Sequence, residues 1–363
     1  MDLSYEQQKA ISEIKKWLKT EKQVFRLFGY AGTGKTTLVK EIAKQCENPI
    51  YACFTGKAAS VLRAKGCRGA RTIHSLIYEK VPQKTGVKKP KLTFQVRSTS
   101  DCSDITNSDL VILDECSMVD EQMGKDILSF GKKTLVLGDP AQLSPHTGYG
   151  FFINTNPDIL LEDIFRQSAD SPILTMATIV RNGQILTEGE YGSDCRVIRK
   201  SELSSDMVLN FDTILVGRNK TRQSINKRIR ELKGFTSLYP SEGDTLVCTQ
   251  NDQTRCLLNG SIFTVLSVIA ENEKAISLKI TLKDGGIITY IILDKALFND
   301  DKLSYADGAK FDYGYALTVH KSQGSQWDNV LLFDESHCFN EEGRKWLYTG
   351  ITRAAKTITI VKG

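Results

Sequence analysis

No stretch of this 363-residue chain approaches the run of about 18 apolar residues that a membrane-crossing helix needs. The segment from Met1 to Lys9 also lacks the charged-then-apolar layout of a secretory leader. These absences lead to the expectation of a soluble, intracellular (cytoplasmic) protein with no membrane partner. No C-x-x-C pair occurs, and the nine cysteines are scattered and odd in number. That distribution signals neither a disulfide framework nor a zinc or iron–sulfur site, so the thiols read as reduced core-filling side chains. Long linkers, low-complexity tracts and fixed-period repeats are missing as well. A strong excess of one charge sign is also missing: 48 Lys and Arg against 43 Asp and Glu leave a net charge of +5, which by itself identifies no partner.

Local charge says more. From Lys57 to Lys91 there are ten Lys or Arg and one acid, Glu79. A second cluster comprises Arg218, Lys220, Arg222, Lys227, Arg228, Arg230 and Lys233, opposed only by Glu231 in a helix-like stretch. Either patch reads as a phosphate-backbone footprint or, equally, as a solvated charged surface.

The chain opens with an amphipathic helix from Tyr5 to Leu18, whose Ile11, Ile14 and Leu18 recur at helical spacing. Compact apolar runs follow at Val24 to Phe28, Ile50 to Phe54, Leu110 to Leu113, Thr134 to Leu137 and Ile214 to Val216. Three more lie at Ala316 to Val319, Val330 to Phe333 and Ile358 to Val361. Most are separated by helix-like stretches, an alternation that predicts an α/β fold with two parallel sheets covered on both faces. Two segments depart from it. Pro82 to Ser103 reads as a small insertion or hairpin. Residues 243 to 312 alternate β-branched and polar side chains around turn signals such as Asn259-Gly260, and read as a small all-β barrel inserted into the second domain.

Gly29-Tyr30-Ala31-Gly32-Thr33-Gly34-Lys35-Thr36 fits the phosphate-cradling pattern G-x-x-x-x-G-K-[ST], and it stands between a buried strand and a helix. Backbone N–H groups of Gly32, Thr33, Gly34, Lys35, Thr36 and Thr37 can cradle ATP phosphates. Lys35 can reach the β- and γ-phosphates, and the Thr36 hydroxyl can ligate Mg²⁺. The apolar run Leu110 to Leu113 ends in Asp114-Glu115, which can put Asp114 on the Mg²⁺ and leave Glu115 to orient or deprotonate a water. A third strand end, Gly138-Asp139-Pro140-Ala141-Gln142, brings Gln142 within reach of the γ-phosphate or that water. Three such ends on one sheet edge are where parallel α/β folds bind ligands.

With these motifs the chain resembles the superfamily 1 helicases, in the branch of RecD-like enzymes and the small Dda helicase of bacteriophage. The resemblance runs in family order through Gln7, the phosphate loop, Thr55 to Ala59, Arg71 to His74, Asp114-Glu115 and Gly138 to Leu143. It continues through Phe165-Arg166-Gln167, Thr318 to Gly324 and Tyr348 to Ala354. It implies two RecA-like domains with ATP between them. The first would comprise 1–78 and 105–165, with a small insertion at 79–104 that in relatives carries a strand-splitting wedge. The second would comprise 166–243 and 313–363, with an SH3-like β insertion at 244–312. Gln7 would read adenine, Gly324 would face the nucleotide, and Arg166 and Arg353 would stabilise charge on the γ-phosphate as arginine fingers. Thr55, Lys57, Thr72 and His74 in the first domain, and Thr318, His320, Lys321 and Ser322 in the second, would hold single-stranded DNA by its backbone and bases.

The expected function is an ATP- and Mg²⁺-dependent DNA helicase acting at single-strand/duplex junctions in replication, recombination or repair. Its direction, 5′ to 3′, is implied by the TVHKSQG form of the Thr318 motif. A monomer suffices, and a single-strand-binding or replication protein is a natural partner. Competing classes are an RNA-tracking motor, a P-loop kinase or small-molecule ATPase, and a nucleic-acid clamp that does not hydrolyse ATP. The kinase reading leaves Arg353 and the Thr318 motif unexplained, and the clamp reading leaves Glu115 and Gln142 unexplained.

Overall fold

The computed structural model describes residues 3–82, 92–98, 103–144, 150–164, 170–192, 194–252, 255, 257–283, 285, 288–298 and 309–363. The chain divides into two compact units, 1–174 and 175–363. The division falls within helix α7 (Pro172–Arg181), later than the 165/166 boundary implied by resemblance.

Helix α1 (Tyr5–Trp17) opens the first unit. The Ser4 hydroxyl accepts from Gln7 N while the Gln7 side chain accepts from Ser4 N, and Ala10, Ile14 and Trp17 form the buried stripe. The chain then alternates through β1 (Val24–Gly29), α2 (Lys35–Ala43), β2 (Pro49–Cys53), α3 (Gly56–Ala64), β3 (Arg71–Thr72) and α4 (Ile73–Ile77). A hairpin of β4 (Tyr78–Pro82) and β5 (Leu92–Val96) follows, then α5 (Ser103–Thr106), β6 (Leu110–Asp114), α6 (Glu121–Leu128), β7 (Lys133–Gly138) and β8 (Ile159–Leu161). The main sheet runs β3-β2-β6-β7-β1-β8, and all its pairings are parallel. Successive residues of β1 point to opposite faces: Leu27 packs with Leu38 and Ile14 on one side, and Phe28 with Ile77 and Met123 on the other. Burial on both faces is why these strands read as near-continuous apolar runs, in β1 broken only by Arg26.

The second unit holds β9 (Gly189–Gly192), β10 (Cys195–Arg199), α8 (Ser205–Leu209), β11 (Thr213–Val216) and α9 (Asn219–Leu232). After a β-rich segment come β17 (Ala316–Thr318), α10 (Val319–Ser322), β18 (Trp327–Phe333), α11 (Gly343–Ile351) and β19 (Ala354–Lys362). Its sheet is ordered β17-β11-β18-β19-β10-β9, parallel except for the β9 edge. The β-rich segment is an antiparallel sheet of β12 (Thr245–Cys248), β13 (Ile262–Glu271), β14 (Ala275–Leu282), β15 (Ile288–Asp294) and β16 (Phe311–Tyr313). Its order is β15-β14-β13-β12-β16. Among the described residues no pairing joins β15 to β16, so the segment is seen as an open sheet where the sequence reading expects a barrel. Leu246, Phe263, Leu278 and Phe311 form its core.

Candidate nucleotide site and nucleic-acid surface

Strands β6, β7 and β1 are neighbours, so their C-terminal ends bring Asp114-Glu115, Asp139 to Gln142 and the phosphate loop to one sheet edge. The loop needs glycine for steric reasons. Gly32 and Gly34 have φ of 82° and 78°, in the left-handed region. At Gly29 an added Cβ would stand 2.7 Å from Thr33 Oγ1 and 2.9 Å from Leu161 Cβ. The Lys35 ammonium is folded back on the loop, donating to Gly29 O and, at 3.0 Å, to Tyr30 O. Phosphate oxygens can take over those bonds. Thr36 and Thr37 stand in the first turn of α2 and are half-buried. Gln7 is 2 % exposed, and its amide donates to Thr33 O at 3.0 Å, so it ties α1 to the loop.

Asp114 and Glu115 are strained in two ways. Burial, and then the neighbouring Glu115 charge, push the Asp114 carboxyl up to about 6, against the Glu115 N–H and the Lys35 ammonium. Glu115 adopts φ 56°, a left-handed conformation that costs a side-chain-bearing residue about 1–2 kcal/mol. Backbone strain of this kind gathers at functional sites. At the end of β7, Asp139 accepts from Ala141 N at 3.0 Å and forms the turn that delivers Gln142. Gln142 is 7 % exposed, and its Oε1 has no hydrogen-bond partner among the described residues. A buried acceptor left in that state costs about 1–3 kcal/mol.

Phe165, Arg166 and Gln167 lie outside the described residues, as do 83–91 and 99–102 of the 79–104 insertion. Arg353 is buried in its own unit, its guanidinium donating to Thr349 O, Ser325 O and Thr352 Oγ1. Gly324, φ 74°, closes the turn between α10 and β18.

The expected nucleic-acid threonines share one local role. Thr55, Thr72 and Thr318 cap α3, α4 and α10, each accepting from a backbone N–H three residues on. Lys57 stands in the first turn of α3. His74 lies among aromatic rings, with Tyr78 and Phe94 both at 5.3 Å and Phe54 at 6.4 Å. Burial holds its imidazole below the usual range, against the pull of Asp120, which makes it a neutral stacking and hydrogen-bonding group. His320 packs on Phe339 at 5.4 Å. Although the Lys321 side chain is open to solvent along part of its length, crowding around its ammonium and then the Arg222 guanidinium hold it below the usual range, with Asp312 opposing. Ser322 is fully buried and donates to Val319 O at 2.7 Å, so its hydroxyl serves the helix and faces no ligand in this conformation.

The second basic cluster is divided: Arg222 and Arg230 are buried and Arg218 is paired, while Lys220, Lys227, Arg228 and Lys233 are exposed. Arg230 is 6 % exposed and bonds both Asp244 oxygens, Ser237 O and Tyr239 O. Arg222 pairs with Asp312 at 2.8 Å, and Arg218 with Glu335 at 2.7 Å. The sequence reading missed Glu335, which accepts from Gly217 N, Arg218 N, Arg218 Nε and Thr221 Oγ1. A signal was present: Phe333-Asp334-Glu335 ends β18 just as Leu113-Asp114-Glu115 ends β6.

Two sequence families match the chain: one described as an AAA domain over residues 2–199, and one described as a UvrD-like helicase C-terminal domain over 313–361. The chain is similar to the ATP-dependent RecD2 DNA helicase of Deinococcus radiodurans, 29% identical over 358 residues, which cover 90% of this chain and 45% of that protein. It is also similar to the ATP-dependent DNA helicase dda of Enterobacteria phage T4, 31% identical over 199 residues, or 50% of this chain and 43% of that one. The chain thus spans less than half the length of these curated relatives. Among solved structures it is similar to Bacteroides Pif1 bound to ssDNA, with TM-score 0.61 and 19% identity over 99% of this chain and 92% of that one. Two coordinating Pif1 helicases at forked dsDNA give TM-score 0.62 at 18% identity, with the same coverage. At such identity the likeness is one of fold.

Proposed function

Because the chain belongs to the AAA domain family and, with its UvrD-like helicase C-terminal domain, to the superfamily 1 helicases, we propose that it is an ATP-driven motor that travels along single-stranded DNA and separates duplex strands. The observation that carries this reading is the shared edge of β6, β7 and β1. There a phosphate loop, a carboxylate pair and the Oε1 of Gln142, which has no partner among the described residues, are gathered in one unit. A nucleotide-binding module without hydrolysis has no use for that oxygen or for the strained Glu115.

In the proposed reaction Lys35 exchanges its bonds to Gly29 and Tyr30 for phosphate oxygens. Thr36 and Asp114 would hold Mg²⁺, a role that fits the raised carboxyl of Asp114, since a divalent cation relieves the repulsion from Glu115. The ion would supply charge neutralisation for the phosphates. Glu115 orients and deprotonates the attacking water, and Gln142 Oε1 accepts a hydrogen bond from it. Arg166 and Arg353 are the proposed cations for the γ-phosphate. Gln7 is the proposed adenine reader, and Gly324 the proposed nucleotide contact in the second unit. The strand would be held by Thr55, Lys57, Thr72 and His74, and by Thr318, His320 and Lys321. The caps occupy an acceptor site on each threonine oxygen, so a hydroxyl such as that of Thr55 can still donate to phosphate. Ser322 would act through the fold of α10.

The test is steady-state ATP hydrolysis with and without single-stranded DNA, in low and moderate salt, with RNA as a parallel arm. DNA should stimulate turnover strongly, and the stimulation should weaken with salt as phosphate contacts are screened. Lys35→Ala should abolish hydrolysis. Glu115→Gln should bind ATP and the strand while turning over about 10²- to 10⁴-fold more slowly. A rate indifferent to both nucleic acids would remove the motor reading.

A further inference from the structure

The second unit carries a groove of about 740 Å³ that the proposed chemistry does not use. Its origin is topological. The crossover from β10 to β11 contains only a short 3₁₀ turn and the five-residue α8, too little helix to cover the sheet face beside α9. The side chains of Leu203, Val208, Ile225 and Phe333, all only half-buried, line the floor left open.

The rim is basic. Lys200 and Lys220 are exposed and have no ion-pair partner among the described residues. Among the described residues Arg228 pairs only with Glu231, at 3.3 Å, and both side chains of that pair are exposed. Of the acids at the groove, Glu335 is 6 % exposed and committed to Gly217, Arg218 and Thr221, while Asp334 accepts from Ser336 N. The field presented to a ligand is therefore positive, over a floor of aliphatic side chains.

We propose that this groove is a docking site for a short acidic peptide segment of a partner protein, one that carries two or three large apolar side chains. Acidic residues complement the unpaired lysines, and the apolar side chains fill the floor. A nucleic-acid strand would satisfy the rim alone, because bases stack on exposed aromatic faces and, among the described residues, the groove offers only the half-buried Phe333 and the imidazole of His337 over an otherwise aliphatic floor. The inference does not depend on the motor reading, since it concerns binding without nucleotide or DNA.

The test uses the full chain and a fluorescein-labelled ten-residue peptide of Asp and Glu carrying two Leu and one Phe, read by anisotropy. A second peptide replaces the three apolar residues with Ser, and a labelled oligo-dT is the third probe. The apolar acidic peptide should bind, and the Ser peptide should bind at least about tenfold more weakly. Ser224→Trp, at an exposed position of α9 that lines the groove, should fill it and weaken the first peptide about tenfold, while DNA-stimulated ATP hydrolysis and melting temperature stay unchanged. Lys200→Glu with Lys220→Glu should weaken it comparably. No binding of the first peptide, or equal binding of both peptides, would overturn the proposal. So would loss of oligo-dT binding in Ser224→Trp with peptide binding retained, which would assign the groove to the nucleic-acid track.

Discussion

Single side chains show where this molecule trades stability for a proposed reaction. Gln142 keeps a buried oxygen without a partner among the described residues, so replacing it with the similarly sized Leu removes an unmet acceptor. Gln142→Leu should melt at the same temperature or higher while DNA-stimulated turnover falls about tenfold or more, as loss of a polar group at the reacting centre would require. A drop in melting temperature with turnover intact would make Gln142 a structural residue. Glu335 is the opposite case. Burial pushes its carboxyl up, but the Thr221 hydroxyl, the Arg218 backbone and guanidinium and the Gly217 N–H outweigh burial and hold it below the usual carboxylate range. A depressed carboxyl contributes stability above its unfolded pKa of about 4.3 and loses it as pH falls through the folded value. Glu335→Gln should therefore cost roughly 1.5–3 kcal/mol near pH 7, with the deficit shrinking below about pH 4. Thermal melts of both proteins across that range would show it, and a deficit independent of pH would mean that the charge is not what matters.

At the scale of elements, helix α9 shows what a charge pattern can and cannot reveal. Its basic residues read equally as a phosphate patch or a solvated face, because spacing alone does not tell which face is covered. Arg230 instead locks the start of β12 against the helix through Asp244, with Tyr313 beneath the guanidinium at 4.3 Å. Removing one partner of such a buried pair leaves an uncompensated charge and costs about 3–5 kcal/mol, whereas replacing both by apolar groups of similar size is often neutral. Arg230→Met should thus be strongly destabilising, and Arg230→Met with Asp244→Leu should recover much of the loss in denaturant melts. No recovery would mean that the bonds to Ser237 O and Tyr239 O dominate. The parallel strands were legible because burial on both faces leaves continuous apolar runs, and the nucleotide loop because its glycines have no substitute at φ near 80°. Strands such as β8, three residues long, and β10, whose Arg196 interrupts its apolar residues, carried too little periodicity. The twin strand ends Asp114-Glu115 and Asp334-Glu335 look alike in sequence. Only the neighbouring phosphate loop in the first, and Arg218 with Thr221 in the second, separate proposed catalysis from scaffolding.

For the molecule as a whole, direction of travel is the property least accessible to residue chemistry, because it depends on the order in which two units grip and release a strand. The proposed assignment, 5′ to 3′, rests on the resemblance of the Thr318 to Gly324 motif to one branch of the superfamily 1 helicases. In the structure Thr318 caps a single helical turn that bears His320 and Lys321. A duplex with a 5′ single-stranded tail should be unwound with ATP, and the same duplex with a 3′ tail or blunt ends should not. If the β4–β5 hairpin is the proposed strand-separating element, its two five-residue strands offer little protein to hold the strands apart. Single-turnover yields on 5′-tailed substrates should accordingly fall as the duplex lengthens. Unwinding confined to 3′ tails, with DNA-stimulated hydrolysis intact, would leave the motor standing and reverse its polarity. Hydrolysis without unwinding on any tail would mark the chain as a translocase whose strand-separating element is ineffective.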